Sequence, residues 1–244
     1  MPKVVFVGAG PGDPELLTLK GKRYLETADC VVYAGSLINP AILSFAPPHA
    51  LFIDSSKLSL EAIVECMARE AWAGKKVVRL HSGDPTLFGA IQEQIRALVQ
   101  FGIEVEIVPG VSSVFAAAAR LKREYTLPGV SQTLIITRLA GRTPVPGRER
   151  LRLLAQHRSS MAILLSARMC QEVQEELLTS FPPETPCAVL YHVTWPDEEI
   201  VEGVLSHLSQ MVEERGIRQS AIILVGSFLK GEGQRSYLYS GERE

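Results

Sequence analysis

The sequence has no long apolar run, no paired cysteines and no excess of charge of either sign, and each absence excludes a class of protein. No stretch approaches the roughly 20 consecutive apolar residues of a membrane span, so no membrane partner is expected. The four cysteines, Cys30, Cys66, Cys170 and Cys187, are widely scattered with no CxxC spacing. That argues against a disulfide framework or a zinc site and fits a reducing, cytoplasmic setting. The five histidines are equally dispersed, so their spacing predicts no metal cluster. A formal net charge of -2 offers no bulk attraction to nucleic acid. Met1-Pro2-Lys3 runs straight into an apolar strand, with no basic region followed by an apolar core, so no signal peptide is expected.

What is present is a regular alternation of strand-like and helix-like patterns. At 244 residues with 46% hydrophobic content, the chain can bury a proper core as one large α/β unit or two compact lobes. Strands are predicted at Val4 to Val7, Cys30 to Ala34, Lys76 to Leu80 and Glu104 to Val108. Helices follow Asp13-Pro14, run from Ser59 to about Ala73, extend from about Thr86 to Gln100, and fill the alanine-rich segment that fades near Arg123. By the crossover rule this βαβα series makes a mostly parallel sheet covered by helices. After the Pro128-Gly129 segment the alternation begins again: strands at Gln132 to Leu139, Ala162 to Leu165 and Ala188 to Val193, and helices at Arg148 to Gln156 and Gln171 to Phe181. Near the end, Ile200 to Gly203, Ala221 to Val225 and Tyr237 to Tyr239 suggest antiparallel pairing. The expectation is two α/β lobes, 1–124 and 125–244, with mixed, mostly parallel sheets and a ligand cleft between them.

The stretch Arg79 to Gly89 is the first candidate for chemistry. Ligands of open α/β sheets gather outside the carboxyl ends of the strands, where a strand turns into a helix. Gly83 lets backbone approach a ligand without a Cβ in the way, Pro85 favours a first helical turn, and Asp84 is placed to cap it. An Asp-Pro helix start after a glycine turn accounts for the same residues, so both readings stand. The turn Gly8-Ala9-Gly10-Pro11-Gly12-Asp13 has two glycines of a dinucleotide fingerprint, but Asp13 stands where the third belongs. A carboxylate at that helix start opposes a pyrophosphate, and no acidic residue ends the second strand. A nicotinamide site is therefore not expected.

Together, Val7-Gly-Ala-Gly-Pro-Gly-Asp13 with Leu17-Thr-Leu-Lys-Gly21, Ser82-Gly-Asp-Pro85 and Val108-Pro-Gly-Val-Ser-Ser113 resemble the tetrapyrrole methyltransferases, S-adenosylmethionine enzymes of cobalamin and sirohaem synthesis. The resemblance runs from Val4 to about Phe228. Tyr33-Ala-Gly-Ser-Leu37, His81-Ser-Gly-Asp-Pro-Thr-Leu-Phe-Gly-Ala90, Tyr125-Thr-Leu-Pro-Gly-Val-Ser-Gln132 and Tyr191-His-Val-Thr-Trp-Pro-Asp197 are similar to the branch that methylates precorrin-4 at ring carbon 11. The resemblance implies the tetrapyrrole methylase fold, S-adenosylmethionine as donor with S-adenosylhomocysteine as product, and a homodimer. It puts donor contacts on Pro11, Gly83, Asp84, Leu87, Ser112 and Ser113, and in the second half on Ser166, Tyr191, Val193 and Ala221.

Methyl transfer from a sulfonium is an in-line displacement of a good leaving group, so positioning matters more than a nucleophilic side chain. That agrees with the lack of any triad or metal signature. His81 and Asp84 are candidates to act on charge in the macrocycle. A precorrin carries a ring of carboxylates, for which Lys122, Arg123, Arg138, Arg142 and Arg168 are candidate partners. The loop Thr143 to Arg148 is a candidate cover for the substrate. Three alternatives stay open: methylation of another precorrin carbon, an RNA or protein acceptor on the same fold, and a noncatalytic tetrapyrrole-binding protein.

Overall fold

Short β-branched runs bounded by glycine or proline turns make buried parallel strands, and the helices between them cover both faces. The computed structural model describes residues 1–141 and 143–236. It divides into two compact units, Met1–Ser113 and Val114–Glu244. The first contains β1 (Lys3–Gly8), α1 (Leu19–Glu26), β2 (Cys30–Tyr33), α2 (Pro40–Leu43), β3 (Leu51–Asp54), α3 (Leu60–Trp72), β4 (Val77–His81), α4 (Ile91–Gln100) and β5 (Glu104–Val108). Its sheet is parallel throughout, in the order β3-β2-β4-β1-β5.

Alternation along each strand decides what lies on each face. In β4, Val78 and Leu80 join a core with Val5, Val7, Val31 and Leu25, while Val77 joins the opposite core with Val4, Phe6, Val32, Met67 and Leu98. Strand β3, not assigned from the sequence, is an edge strand paired with β2, and Leu51, Phe52 and Asp54 are exposed.

The helix α5 (Ser113–Leu121) begins at the division between the units. The second unit then has β6 (Leu134–Arg138), α6 (Leu151–Leu154), β7 (Ser160–Leu164), α7 (Cys170–Leu178), β8 (Pro186–Tyr191), β9 (Glu199–Val204), α8 (Leu208–Glu214) and β10 (Ala221–Val225). Its sheet order is β6-β7-β10-β8-β9. Only β6 and β7 pair in parallel; β10 runs antiparallel to both neighbours and β9 antiparallel to β8. The antiparallel character expected of β9 and β10 is present, whereas Tyr237 to Tyr239 lie outside the described residues.

Three helix expectations change. The residues after Asp13-Pro14 form a short 3-10 turn, and α1 starts only at Leu19, where the Thr18 hydroxyl accepts from the Gly21 N–H at 3.1 Å. The helix expected from Thr86 starts at Ile91, because Asp84 closes a tight turn and Phe88 and Ala90 take left-handed backbone. The segment Arg148 to Gln156 holds only one helical turn, Leu151–Leu154, flanked by 3-10 turns.

Candidate functional site

Three turns converge at the carboxyl ends of β1, β4 and β5, and glycine is what allows it. The glycine-rich turn pairs with the β4 turn through backbone alone: Gly10 N–H donates to the Gly83 carbonyl at 3.2 Å and Gly83 N–H to the Gly10 carbonyl at 2.8 Å. Ala9 N–H donates to the His81 carbonyl at 2.7 Å. The turn after β5 is closer still. A methyl on Gly110 would lie 2.2 Å from the Gly83 carbonyl oxygen and 2.8 Å from the Gly8 Cα. A methyl on Gly8 would lie 2.6 Å from the Gly110 Cα. Both positions are therefore closed to any Cβ.

Asp84 locks the arrangement. One carboxylate oxygen accepts from the Gly110 N–H at 2.9 Å, and the other from the Thr86 N–H at 2.8 Å and the Thr86 hydroxyl at 2.5 Å. Partial burial works to raise its pKa, but these hydrogen bonds outweigh it and hold the carboxyl below the usual carboxylate value. Asp84 is thus an ionised brace between two turns, and the cap it forms closes an Asx turn rather than a helix. Asn39 steadies the glycine-rich turn from outside, donating to the Gly12 carbonyl at 2.9 Å from a buried position.

Gly83 differs from its two glycine neighbours. It has a left-handed φ of 62°, and a methyl added there would meet nothing nearer than the Ser112 Cα at 3.7 Å. That is a cradle a side chain would fill, beside buried Ser112 and half-buried Ser113; buried Pro11 follows Gly10, the backbone partner of Gly83, and half-buried Leu87 lies four residues on in the same turn. His81 sits behind it, 8% exposed and stacked on Phe6 with ring centroids 5.6 Å apart. Burial, assisted by nearby Arg79, lowers its pKa to about 3, so the imidazole is neutral at neutral pH.

The remaining candidates lie in the second unit. Ser166 is fully buried, and its hydroxyl accepts from the Leu139 N–H at 2.9 Å and donates to the Leu164 carbonyl at 2.8 Å. Tyr191 and Ala221 are register partners at the ends of β8 and β10. Beyond them, His192 N–H donates to the Ser220 carbonyl at 3.0 Å, and the rings of Tyr191, His192 and Trp195 form a continuous stack. Val193 is buried between these positions. Leu165, His192, Thr194 and Ser220 all have left-handed backbone, with φ from 44° to 69°. Such conformations cluster where structure serves a site, and none of these four residues announces it in the sequence.

The basic candidates are unequally available. Arg123 is committed to the Leu229 carbonyl at 2.6 Å, and Arg138 to the Thr143 and Pro144 carbonyls at 2.9 and 3.2 Å, where it braces the Thr143 to Arg148 loop. Lys122 and Arg168 are exposed; Arg168 donates to Gln219 at 3.2 Å. Arg142 lies outside the described residues. The sequence reading missed Gly8 and Gly110 as structural partners, although the repeated glycine turns were its signal. It also missed Arg79, whose signal was a charge at an inward position of an apolar strand.

Comparisons with known proteins identify the family and the fold. The family model of Tetrapyrrole (Corrin/Porphyrin) Methylases matches residues 3–209. A cobalt-precorrin-4 C(11)-methyltransferase of Methanocaldococcus jannaschii is 52% identical over 98% of this chain and 91% of its own length. A precorrin-4 C(11)-methyltransferase of Pseudomonas aeruginosa is 46% identical over 98% of this chain and 96% of its own. Among solved structures, a cobalt precorrin-4 methyltransferase described as a cobalamin biosynthetic enzyme superposes with a TM-score of 0.91 at 43% identity, covering 93% of this chain and 95% of that one. A uroporphyrin-III C-methyl transferase from Thermus thermophilus, complexed with S-adenosyl homocysteine, gives 0.80 at 29% identity, covering 94% and 100%. With nearly its whole length matched in this way, the chain belongs to the tetrapyrrole methylase family.

Proposed function

We propose that this protein is a methyltransferase that moves the methyl group of S-adenosylmethionine to ring carbon 11 of precorrin-4 or its cobalt complex, in the building of the cobalamin corrin ring. The observation that carries the reading is the Gly83 cradle beside two sealed glycine contacts, in a chain 52% identical over nearly its full length to an enzyme named for that reaction. When bound, the donor supplies an electrophilic methyl on a sulfonium with a good leaving group. The chain's own residues supply position. In this reading Gly83 and the adjoining Pro11, Leu87, Ser112 and Ser113 hold the donor. Asp84 contributes through the turns it braces, because its oxygens already accept three hydrogen bonds. His81, neutral and buried, shapes the wall behind the cradle and carries no charge to the macrocycle.

The reading extends to Ser166, Tyr191, Val193 and Ala221 as donor contacts on the second unit, with Ser166 acting through backbone since its hydroxyl is committed. For the substrate carboxylates, Lys122 and Arg168 are the better candidates. Arg123 and Arg138 already serve backbone carbonyls, which makes them braces first. The reading also makes the protein a cytoplasmic homodimer. Four unpaired thiols, three of them buried, suit a reducing compartment, and sedimentation of the purified protein tests the dimer.

The decisive test of function is an anaerobic incubation with donor labelled by carbon-13 on the methyl group, offering precorrin-4 with and without cobalt. One labelled methyl at ring carbon 11 and an equal amount of S-adenosylhomocysteine are expected. Label at another ring carbon would move the protein to a sister branch. Donor binding without any transfer would favour the noncatalytic tetrapyrrole-binding reading.

A further inference from the structure

Arg79 is a buried cation without an acid. It lies on β4 between Phe6 of β1 and Val32 of β2, both fully buried, and is itself only 5% exposed. Its Nε donates to the Gln94 side-chain oxygen at 3.2 Å and its Nη1 to the Ser55 hydroxyl at 2.8 Å. Both acceptors are neutral, and both are already anchored. Ser55 donates to the Tyr33 carbonyl at 2.8 Å, and Gln94 donates to the Ala90 carbonyl at 3.2 Å. Among the described residues no carboxylate makes an ion pair with Arg79.

A buried charge is costly unless an opposite charge or a full set of hydrogen bonds compensates it. Nε and Nη1 are engaged, whereas Nη2 makes no hydrogen bond among the described residues and is not sealed from solvent, so it can still donate to a carboxylate. Two residues along the strand and on the same face, His81 Nε2 is sealed from solvent and has no partner. Among the described residues it is the one buried side-chain nitrogen or oxygen in that state. A buried cation without an acid, midway along β4, and an unpartnered imidazole nitrogen at the strand's carboxyl end thus share one side of the sheet, toward the end where ligands of α/β sheets gather.

We propose that Arg79, framed by Ser55, Gln94 and His81, is a subsite for a ligand carboxylate. This rests on the methyltransferase reading, in which two ligands carry such a group: the amino-acid end of the donor and the acetate and propionate arms of the tetrapyrrole. One guanidinium edge takes one carboxylate, so the subsite serves one of them.

The test titrates the full-length protein separately with S-adenosylmethionine and with uroporphyrin III, a stable tetrapyrrole bearing acetate and propionate groups. Wild type is compared with Arg79→Met and Arg79→Lys, and each melting temperature is recorded. Arg79→Met is expected to weaken one ligand by about tenfold or more and to leave the other within about twofold. Its melting temperature should be no lower than that of wild type, and Arg79→Lys should recover part of the lost affinity. Which ligand weakens identifies the carboxylate. If every ligand the wild type takes still binds Arg79→Met unchanged, the subsite is overturned. Parallel loss of both ligands would also overturn it, marking Arg79 as a clamp that positions the loops. A folded wild type that binds neither ligand would sink the methyltransferase reading and the subsite with it. That outcome is distinct from failure of the variant alone.

Discussion

The two units hold their candidate contacts by opposite means. In the first, glycines with no Cβ let three turns touch backbone to backbone, and one carboxylate spans two of them. In the second, ordinary residues such as Leu165, His192 and Ser220 are forced into left-handed backbone at the strand ends, steadied by a buried serine and a stack of rings. The first arrangement is built from residues with a special conformational allowance. The second stores strain in residues that have none. Substitution should therefore act in opposite directions in the two units.

The largest effect is expected at Gly110. Gly110→Ala places a methyl against the Gly83 carbonyl oxygen, where only displacement of a whole turn can relieve it. Overpacking of this kind costs about 3 kcal/mol, so donor affinity measured by calorimetry should fall by about a hundredfold. Unchanged affinity would mean that the contact between the turns is incidental. Next in size is Asp84→Ala, which strands the Gly110 and Thr86 N–H groups. A lost charge-assisted partner costs about 1.5–3 kcal/mol, or about tenfold or more in donor affinity. Asp84→Asn should recover part of it, since an amide oxygen still accepts.

The opposite sign is expected at Leu165, which is exposed with a φ of 56°. Leu165→Gly removes a left-handed penalty of about 1–2 kcal/mol and adds an unfolded-state cost of about 0.5–1 kcal/mol. Denaturant melts should show stability unchanged or raised by up to about 1.5 kcal/mol. A clear loss would show that the Leu165 side chain, and not its backbone, holds the strand end.

The smallest effect concerns an anchor on β5. Glu106 takes Lys20, Lys3 at 2.7 Å and Tyr24 at 2.6 Å, and these partners lower its pKa to about 2. A depressed carboxyl contributes stability that is complete above its ordinary value of 4.5 and is lost as pH falls toward about 2. Melting of wild type should therefore drop over that window more steeply than melting of Glu106→Gln. Added salt should shrink the difference, because the lysine partners are partly exposed.

Legibility in the sequence ended where contacts between residues distant in the chain begin. Gly83 stood out because close approach of backbone demands glycine, and the turns holding Gly8 and Gly110 were readable before their contacts were. What Asp84 does was not readable, since its partner Gly110 is 26 residues away and an Asp-Pro pair reads locally as a helix cap. Strand β3 was missed although Leu51 to Ile53 form an apolar run, because the run is only three residues long and its side chains are largely exposed on an edge strand, so burial does not mark it. Leu165 and Ser220 gave no signal, because their conformation is imposed by the packing around them. Arg79 was visible in an otherwise apolar strand, but only the sheet register reveals that it is buried between Phe6 and Val32 without an acid.

The most direct test of the account is a titration of S-adenosylmethionine into wild type and Gly83→Ala. The added methyl reaches no protein atom closer than 3.7 Å, so it fills the cradle without striking its walls and costs only the left-handed penalty of about 1 kcal/mol. The account predicts a folded variant, melting close to wild type, whose donor affinity is lower by about a hundredfold. Donor binding by that variant as tight as by wild type would contradict it.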